Sequence, residues 1–339
     1  MNQAAAASLQ LGDGLTVSPL GFGGMALTAV YGEVDQSEAL RTLHHAVDSG
    51  VTFIDTADIY GGGSNEELIA RLLKERRGEV QLATKFGLVG SPADGYTDIR
   101  GDAAYVKQSV DRSLQRLGTD TIDLYYMHRR DLRVPIVETV GAMAELVQQG
   151  KVRHLGLSEV TAEELREASS IHPIAAVQSE WSIWSRDVER NVVPAAAVLG
   201  VGFVPYSPLG RGFLTGTVDA STLGSNDFRR NVPRFAEDAA EANRGVVAAV
   251  QAVAAELEVA GHGATPAQVA LAWLLAQGRK LGLPVVPIPG TRKAHRIDEN
   301  LGALALTFTA AQLEKLDAAA DAVVGSRSAD PRWVSEGRE

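Results

Sequence analysis

The chain has 339 residues, no cysteine, 45% hydrophobic and 22% charged residues, and a formal net charge of −10 at pH 7. This is a globular composition with enough apolar content for one large core; it excludes disulfide frameworks, thiol catalysis and thiolate metal sites, and its acidity disfavours nucleic-acid binding. Residues 1–8 read as an alanine-rich frayed tail without a positively charged start, no later run approaches a membrane span, and the lack of thiols suits a reducing cytoplasm, the expected location.

The first elements are Leu9 to Leu11 and Leu15 to Val17, which flank Gly12-Asp13-Gly14 and predict a hairpin. Short apolar runs then recur at Leu20–Phe22, Thr52–Ile54, Val80–Ala83, Ile122–Tyr126, Val152–Leu157, Ala175–Val177, Gly202–Val204 and Val285–Pro287. Segments of helical period separate them. Leu68, Ile69, Leu72 and Leu73 share a face behind an expected cap at Ser64 or Asn65. Val106, Val110, Leu114 and Leu117 run to Gly118, and Val140, Ala144 and Val147 run to Gly150. Thr265-Pro266 opens a helix through Val269, Leu271 and Leu275.

Eight strand–helix repeats predict parallel strands with right-handed crossovers closing into a (β/α)8 barrel, one domain over residues 9–339. Two stretches exceed the repeat, Leu214–Arg234 and the chain from Ala310 onward, and are expected to be extra loops or helices.

In such a barrel the active site lies at the carboxyl ends of the strands, where side chains converge. Phe53 to Gly61 reads as a buried strand ending at Asp55, followed by a glycine-rich turn bearing Tyr60. The next two strands run into Lys85 and His128. Singly, each of these has a plainer role, as turn residue, packed aromatic or hydrogen-bonded histidine; set on one rim, they read as one site. An ammonium beside a phenol stabilises the phenolate, so Lys85 suits Tyr60 as a proton donor, with Asp55 pairing the buried lysine. His128 then orients a carbonyl oxygen as charge develops on it. This set suits protonation of the oxyanion made when a hydride reaches a carbonyl, and the hydride must come from a cofactor.

No G-x-G-x-x-G follows a strand near the start, and no G-x-x-x-x-G-K-[ST] occurs. The alternative is the barrel's phosphate site after strands seven and eight: Tyr206-Ser207-Pro208-Leu209-Gly210-Arg211-Gly212, and Pro289-Gly290-Thr291-Arg292-Lys293 followed by Arg296. A basic cluster on an acidic chain selects a specific anion, which favours NADPH over NADH through its extra phosphate. In the Leu214–Arg234 stretch, Arg229, Arg230 and Arg234 read either as a solvated loop or as a lid over that cofactor with Phe228 and Phe235 as apolar anchors, and Trp181 is expected to stand in the pocket wall.

The stretches F-I-D-T-A-D-I-Y-G, A-T-K-F-G, I-D-L-Y-Y-M-H, G-L-S-E, A-V-Q-S-E-W-S, P-Y-S-P-L-G-R-G and I-P-G-T-R-K-A-H-R-I-D-E-N occur in the order found in the aldo-keto reductase superfamily, which the chain resembles from Leu15 to about Leu316. It is most similar to the bacterial and plant branch labelled auxin-induced-like or pyridoxal-reductase-like. The resemblance implies a catalytic tetrad of Asp55, Tyr60, Lys85 and His128, with no metal. It implies that Ser158 and Gln178 meet the nicotinamide carboxamide and that Tyr206 stacks on the ring. Ser207, Leu209 and Arg211 would line the pyrophosphate, and Thr291, Arg292, Arg296, Glu299 and Asn300 the adenosine phosphate. Glu159 stands where many members carry asparagine, Gly290 where other branches carry lysine, and Met127 where a polar residue is expected beside the histidine and the substrate pocket.

The implied activity is NADPH-dependent reduction of aldehydes or ketones. A redox sensor or regulatory subunit that binds NADPH without turnover is the alternative. Aromatic aldehydes, dicarbonyls and pyridoxal are all compatible small-molecule substrates, and the sequence leaves the oligomeric state open.

Overall fold

The protein is described from a computed structural model covering residues 8–91, 95–225, 227–259 and 261–339. Of the expected frayed tail, residues 1–7 lie outside the described residues and Ser8 is exposed.

Strands β1 (Leu9–Gln10) and β2 (Thr16–Val17) pair antiparallel around a turn in which Asp13 takes a φ of 55°. Leu11, Leu15 and Val17 of this hairpin are buried with Ala175 and Val204, which plugs the amino end of the barrel. The barrel begins with β3 (Gly21–Gly23), β4 (Phe53–Asp55) and β5 (Gln81–Phe86). An unforeseen antiparallel hairpin, β6 (Leu88–Ser91) and β7 (Gly95–Ile99), follows. The barrel resumes with β8 (Ile122–Met127), β9 (Val152–Ser158), β10 (Ala176–Glu180) and β11 (Gly202–Tyr206). All seven barrel strands are parallel to their neighbours and adjacent in chain order.

The eighth run closes the barrel without forming a regular strand. Phe203 donates to the Pro284 carbonyl, and Val286 and Ile288 donate back to Phe203 and Pro205. On the other side Gly21 and Gly23 donate to the carbonyls of Pro287 and Pro289, which have no N–H to return. The ladder to β3 therefore runs one way only.

Helices α1 (Gln36–Asp48), α2 (Ser64–Arg76), α3 (Ala103–Leu117), α4 (Ile136–Gln148), α5 (Ala162–Ile171) and α6 (Val192–Leu199) each follow a barrel strand. After β11 the repeat is stretched: Leu214–Arg234 becomes short 3-10 turns, then α7 (Glu237–Ala242) and α8 (Arg244–Ala254) precede α9 (Pro266–Leu281). The expected cap of α9 holds, with Thr265 and Gln268 exchanging hydrogen bonds. The expected cap of α2 does not. Gly63, at φ 100°, precedes the helix, and the glycines at 61 and 62 are also left-handed, which lets the chain turn sharply after Tyr60. Asn65 is instead buried, accepting from Thr56 at 2.6 Å and donating to the Gly24 carbonyl at 2.9 Å. After the eighth segment come α10 (Ala294–Leu301) and α11 (Ala310–Ala319), and residues 320–339 cross the carboxyl face.

Strand alternation divides the core into two shells. Phe53, Leu124, Tyr126 and Val204 fill the barrel, while Phe86, Tyr125, Met127 and Phe203 pack between strands and helices. Gly156 makes room for Tyr126, whose ring occupies the space a Cβ there would take.

Candidate active site

At the carboxyl end of the barrel, β4 and β5 are paired so that Asp55 sits opposite Ala83, and the chain beyond them stays in register through Asp58 N–H to the Lys85 carbonyl. The fully buried Lys85 ammonium donates to the Asp55 carboxylate and, at 2.7 Å, to the Thr56 carbonyl. Gln178 Nε2, from β10, donates to the other Asp55 oxygen at 2.9 Å. The Lys85 nitrogen lies 5.1 Å from the Tyr60 ring centre, and the Tyr60 and His128 rings meet edge to face with centres 5.9 Å apart. His128 follows β8, its N–H held by the Phe86 carbonyl at 2.8 Å. The four residues expected at one site are thus brought together from three strand ends and one turn.

Burial dominates the electrostatics here. It raises the Asp55 carboxyl and lowers the Lys85 ammonium from their usual ranges, so the pair is driven toward sharing its proton. Burial also holds His128 well below the usual imidazole range, helped by the positive charges of Arg129 and Lys85, so the ring is neutral at pH 7. Asp58, on the same turn, is pushed up to about 8 by burial and by the charge of Glu66, against the pull of Arg116.

A cavity of about 580 Å³ opens above this cluster. Of the positions expected to contact a cofactor, Ser158, Gln178, Tyr206, Ser207, Leu209, Arg211, Thr291 and Arg292 line it. Arg211 pairs with Glu180 at 3.1 Å, and Arg292 donates to the carbonyls of Tyr31, Gly32 and Glu33. Arg296, Glu299 and Asn300 lie beyond the cavity on α10, where exposed Arg296 pairs with Glu299 at 2.5 Å and Asn300 is buried. Residues 228–232 reach the opposite rim: Phe228 N–H donates to the Val30 carbonyl at 3.2 Å, and Arg229 lies over the Tyr31 ring and donates to the Arg211 carbonyl at 3.2 Å. Arg230 is exposed, and among the described residues its guanidinium donates only to the Leu223 carbonyl.

Two expected pocket residues are elsewhere. Trp181 is fully buried against Phe203 and Trp273, with its indole N–H on Glu189 at 2.7 Å, and Met127 points into the same outer shell. Neither lines the cavity. The cause for Met127 is alternation: Tyr126 faces the barrel interior, so its neighbour faces the helices.

The pocket wall also includes part of the chain beyond Ala310, a stretch expected to form extra loops or helices on the barrel. Arg327, Ser328, Ala329, Asp330, Trp333 and Val334 line the cavity. They are tied down by Glu159, at the end of β9, which takes a φ of 51°. Its carboxylate accepts a bidentate pair from Arg327 at 2.9 and 3.0 Å, a bond from Ser335 N–H at 2.9 Å, and one from the Tyr206 hydroxyl at 2.8 Å. Burial opposes the charge of Glu159, but Arg327, the charge of Arg129 and the Ser335 N–H outweigh it and hold the carboxyl at about 2. Arg327 also pairs with Asp187 at 2.8 Å. Arg129 and Leu88 were missed as well; Leu88 belongs to the hairpin after β5, for which Gly90 and Gly95 around a short polar stretch were the available signal.

Similarity to known proteins extends over most of the chain. Residues 19–321 match the sequence pattern of the Aldo/keto reductase family. The chain belongs to the aldo/keto reductase family. It is 43% identical over 321 residues to "Probable aldo-keto reductase 1" of Glycine max, covering 93% of this chain and 89% of that protein. Among solved aldo/keto reductases, it superimposes with a TM-score of 0.82 on the glycerol dehydrogenase AKR11B4 from Gluconobacter oxydans, at 27% identity, covering 97% of this chain and 99% of that one. A TM-score of 0.74 relates it to AKR11C1 from Bacillus halodurans, at 27% identity over 96% of this chain and all of that one. As an aldo/keto reductase the protein is an oxidoreductase that interconverts carbonyls and alcohols with a nicotinamide cofactor. Among the described residues no helix is long and apolar enough to cross a membrane, and no group of three or more His, Asp or Glu is placed to hold a metal ion.

Proposed function

We propose that this aldo/keto reductase reduces aldehydes and ketones with NADPH, using Tyr60 as the general acid. The observation that carries the reading is the buried chain Gln178–Asp55–Lys85 lying directly beneath Tyr60 and His128 in the cavity. The donor set fits a nicotinamide dinucleotide: Ser158 and Gln178 offer a hydroxyl and an amide near the tetrad, the Tyr206 ring lies beside them, and Arg211 and Arg292 bring positive charge to the far part of the cavity. When bound in reduced form, the cofactor supplies a hydride to the carbonyl carbon. His128, neutral, donates to the carbonyl oxygen and orients it. Tyr60 gives its hydroxyl proton to that oxygen as charge develops there, and the Lys85 ammonium stabilises the phenolate that remains. Asp55 and Gln178 hold Lys85 in place and make its burial tolerable.

Arg292 and Arg296 are the side chains proposed to prefer the 2′-phosphate, with Thr291, Glu299 and Asn300 around the adenosine, and Ser207, Leu209 and Arg211 along the pyrophosphate. Residues 228–232 are proposed to strap the cofactor down, through Phe228 and Arg229. The test is NADPH consumption by pure protein with a reactive aromatic aldehyde, beside an NADH control. Rapid loss of NADPH and slower loss of NADH is the expected result. Tight NADPH binding without turnover would replace the reductase with a sensor, and no binding would remove the cofactor assignment.

A further inference from the structure

Five arginines line the cavity: Arg129, Arg211, Arg229, Arg292 and Arg327. Three of them are paired with carboxylates, Arg211 with Glu180, Arg229 with Asp227, and Arg327 with Glu159 and Asp187. Arg292 donates to three backbone carbonyls at the rim, far from the tetrad, where it is assigned to the cofactor phosphate. Arg129 differs from all four. It follows His128 directly, and among the described residues its guanidinium donates only to the His128 carbonyl at 2.7 Å and the Ser158 hydroxyl at 3.3 Å. Its Nε is buried without a partner, and among the described residues no carboxylate lies within ion-pair distance of it. Its charge is felt by Glu159, which is already held in a bidentate pair by Arg327, and a partly desolvated guanidinium with no direct ion pair of its own gains most from an incoming anion.

The surroundings describe the rest of the ligand. Leu88 and Trp333 pack with Tyr60 on the side of the cavity nearest the tetrad, which gives a flat apolar wall beside the reacting position. The acidic residues lining the cavity are Asp55, which is held by Lys85 and Gln178, and Asp330 on the C-terminal segment.

We propose that Arg129 is a specificity-determining residue that binds an anionic group, typically a carboxylate, carried by the carbonyl substrate, so that the preferred substrates are aldehydes with an apolar body and a carboxylate. A planar guanidinium with free N–H groups matches a carboxylate in a two-point contact that an ammonium does not reproduce. The proposal rests on the reductase reading above and names its substrate class. The same positive charge helps to keep His128 and Lys85 toward their neutral forms, which is consistent with its position among the tetrad.

The experiment compares 3- and 4-carboxybenzaldehyde with their methyl esters, which keep the shape and remove the charge, using NADPH and the full chain. The readout is the ratio of kcat/KM for acid over ester in wild type, Arg129→Gln and Arg129→Lys. Any general effect of Arg129 on cofactor or folding cancels in that ratio. The expected result is a wild-type ratio above one that falls on the order of 10- to 100-fold in Arg129→Gln, the range for losing a hydrogen bond to a charged group, with partial recovery in Arg129→Lys. Acid and ester falling alike in Arg129→Gln, or a wild-type ratio at or below one for both isomers, would overturn the proposal while leaving the reductase intact. Failure of wild type on all four aldehydes would overturn the reductase reading, and this inference with it.

Discussion

Glu159 and Arg327, 168 residues apart in the sequence, form a fully buried bidentate pair at 2.9 and 3.0 Å. The same carboxylate accepts the Tyr206 hydroxyl, so one side chain fixes both the ring at the cofactor side of the cavity and the C-terminal segment that forms its wall. Removing one partner of a buried pair costs about 3–5 kcal/mol, because the other charge is left unpaired. Glu159→Gln is therefore expected to lower stability by that order at pH 7, measured by urea unfolding. The folded carboxyl, at about 2, lies below its ordinary 4.5, so its contribution is present above 4.5 and fades as pH falls through about 2. The gap between wild type and Glu159→Gln should narrow over that window, and a gap independent of pH would contradict the assignment.

Asp58 has the opposite sign. Its folded carboxyl is raised to about 8 from 3.8, so whatever stability it carries is complete below 3.8 and is lost as pH rises through about 8. Asp58→Asn removes the ionisation. The variant should gain on wild type in Tm between pH 5 and pH 9, and parallel Tm curves would show that Asp58 titrates normally.

Replacing the general acid should separate chemistry from binding. Tyr60→Phe is expected to lower turnover about 10²- to 10⁴-fold while NADPH affinity, followed by fluorescence titration, stays within a few-fold. A parallel loss of affinity would assign Tyr60 to binding instead.

For Lys85→Met the expected outcome is a double loss, because it strands Asp55 in a fully buried site. Activity falls as for Tyr60→Phe, and stability falls by about 3–5 kcal/mol. Asp55→Asn with Lys85→Met should restore part of the stability and none of the activity, read by denaturant melts and NADPH consumption.

The rim arginines should divide by contact. Arg229 touches Arg211 and Tyr31, whereas the exposed Arg230 guanidinium meets, among the described residues, a single nearby carbonyl. Arg229→Ala is expected to raise the Kd for NADPH roughly ten-fold or more, the lower range for a charged hydrogen bond, and Arg230→Ala to leave it near wild type. Equal effects would remove the strap.

Much of this arrangement was legible before any coordinates. The alternation of short apolar runs with helical periods gave the barrel, and Asp55, Lys85 and His128 could be set on one rim because each directly ends or follows a run. The eighth run was found by its apolar content, although its prolines leave it hydrogen-bonded from one side only toward β3. Trp181 was misplaced because an aromatic past a strand end is equally suited to the pocket or the outer shell, and only packing against Phe203 and Trp273 decides.

The sequence by itself determined the order of strands and helices, the family and the chemical types at the strand ends, because these rest on local periodicity and on motifs a few residues long. Only the tertiary structure decided that Glu159 anchors a wall built from residues 327–334, that Trp181 and Met127 face away from the cavity, and that Arg129 lines it with no direct ion pair among the described residues. Charge pairing and burial between residues far apart in the chain depend on distances that no local pattern records.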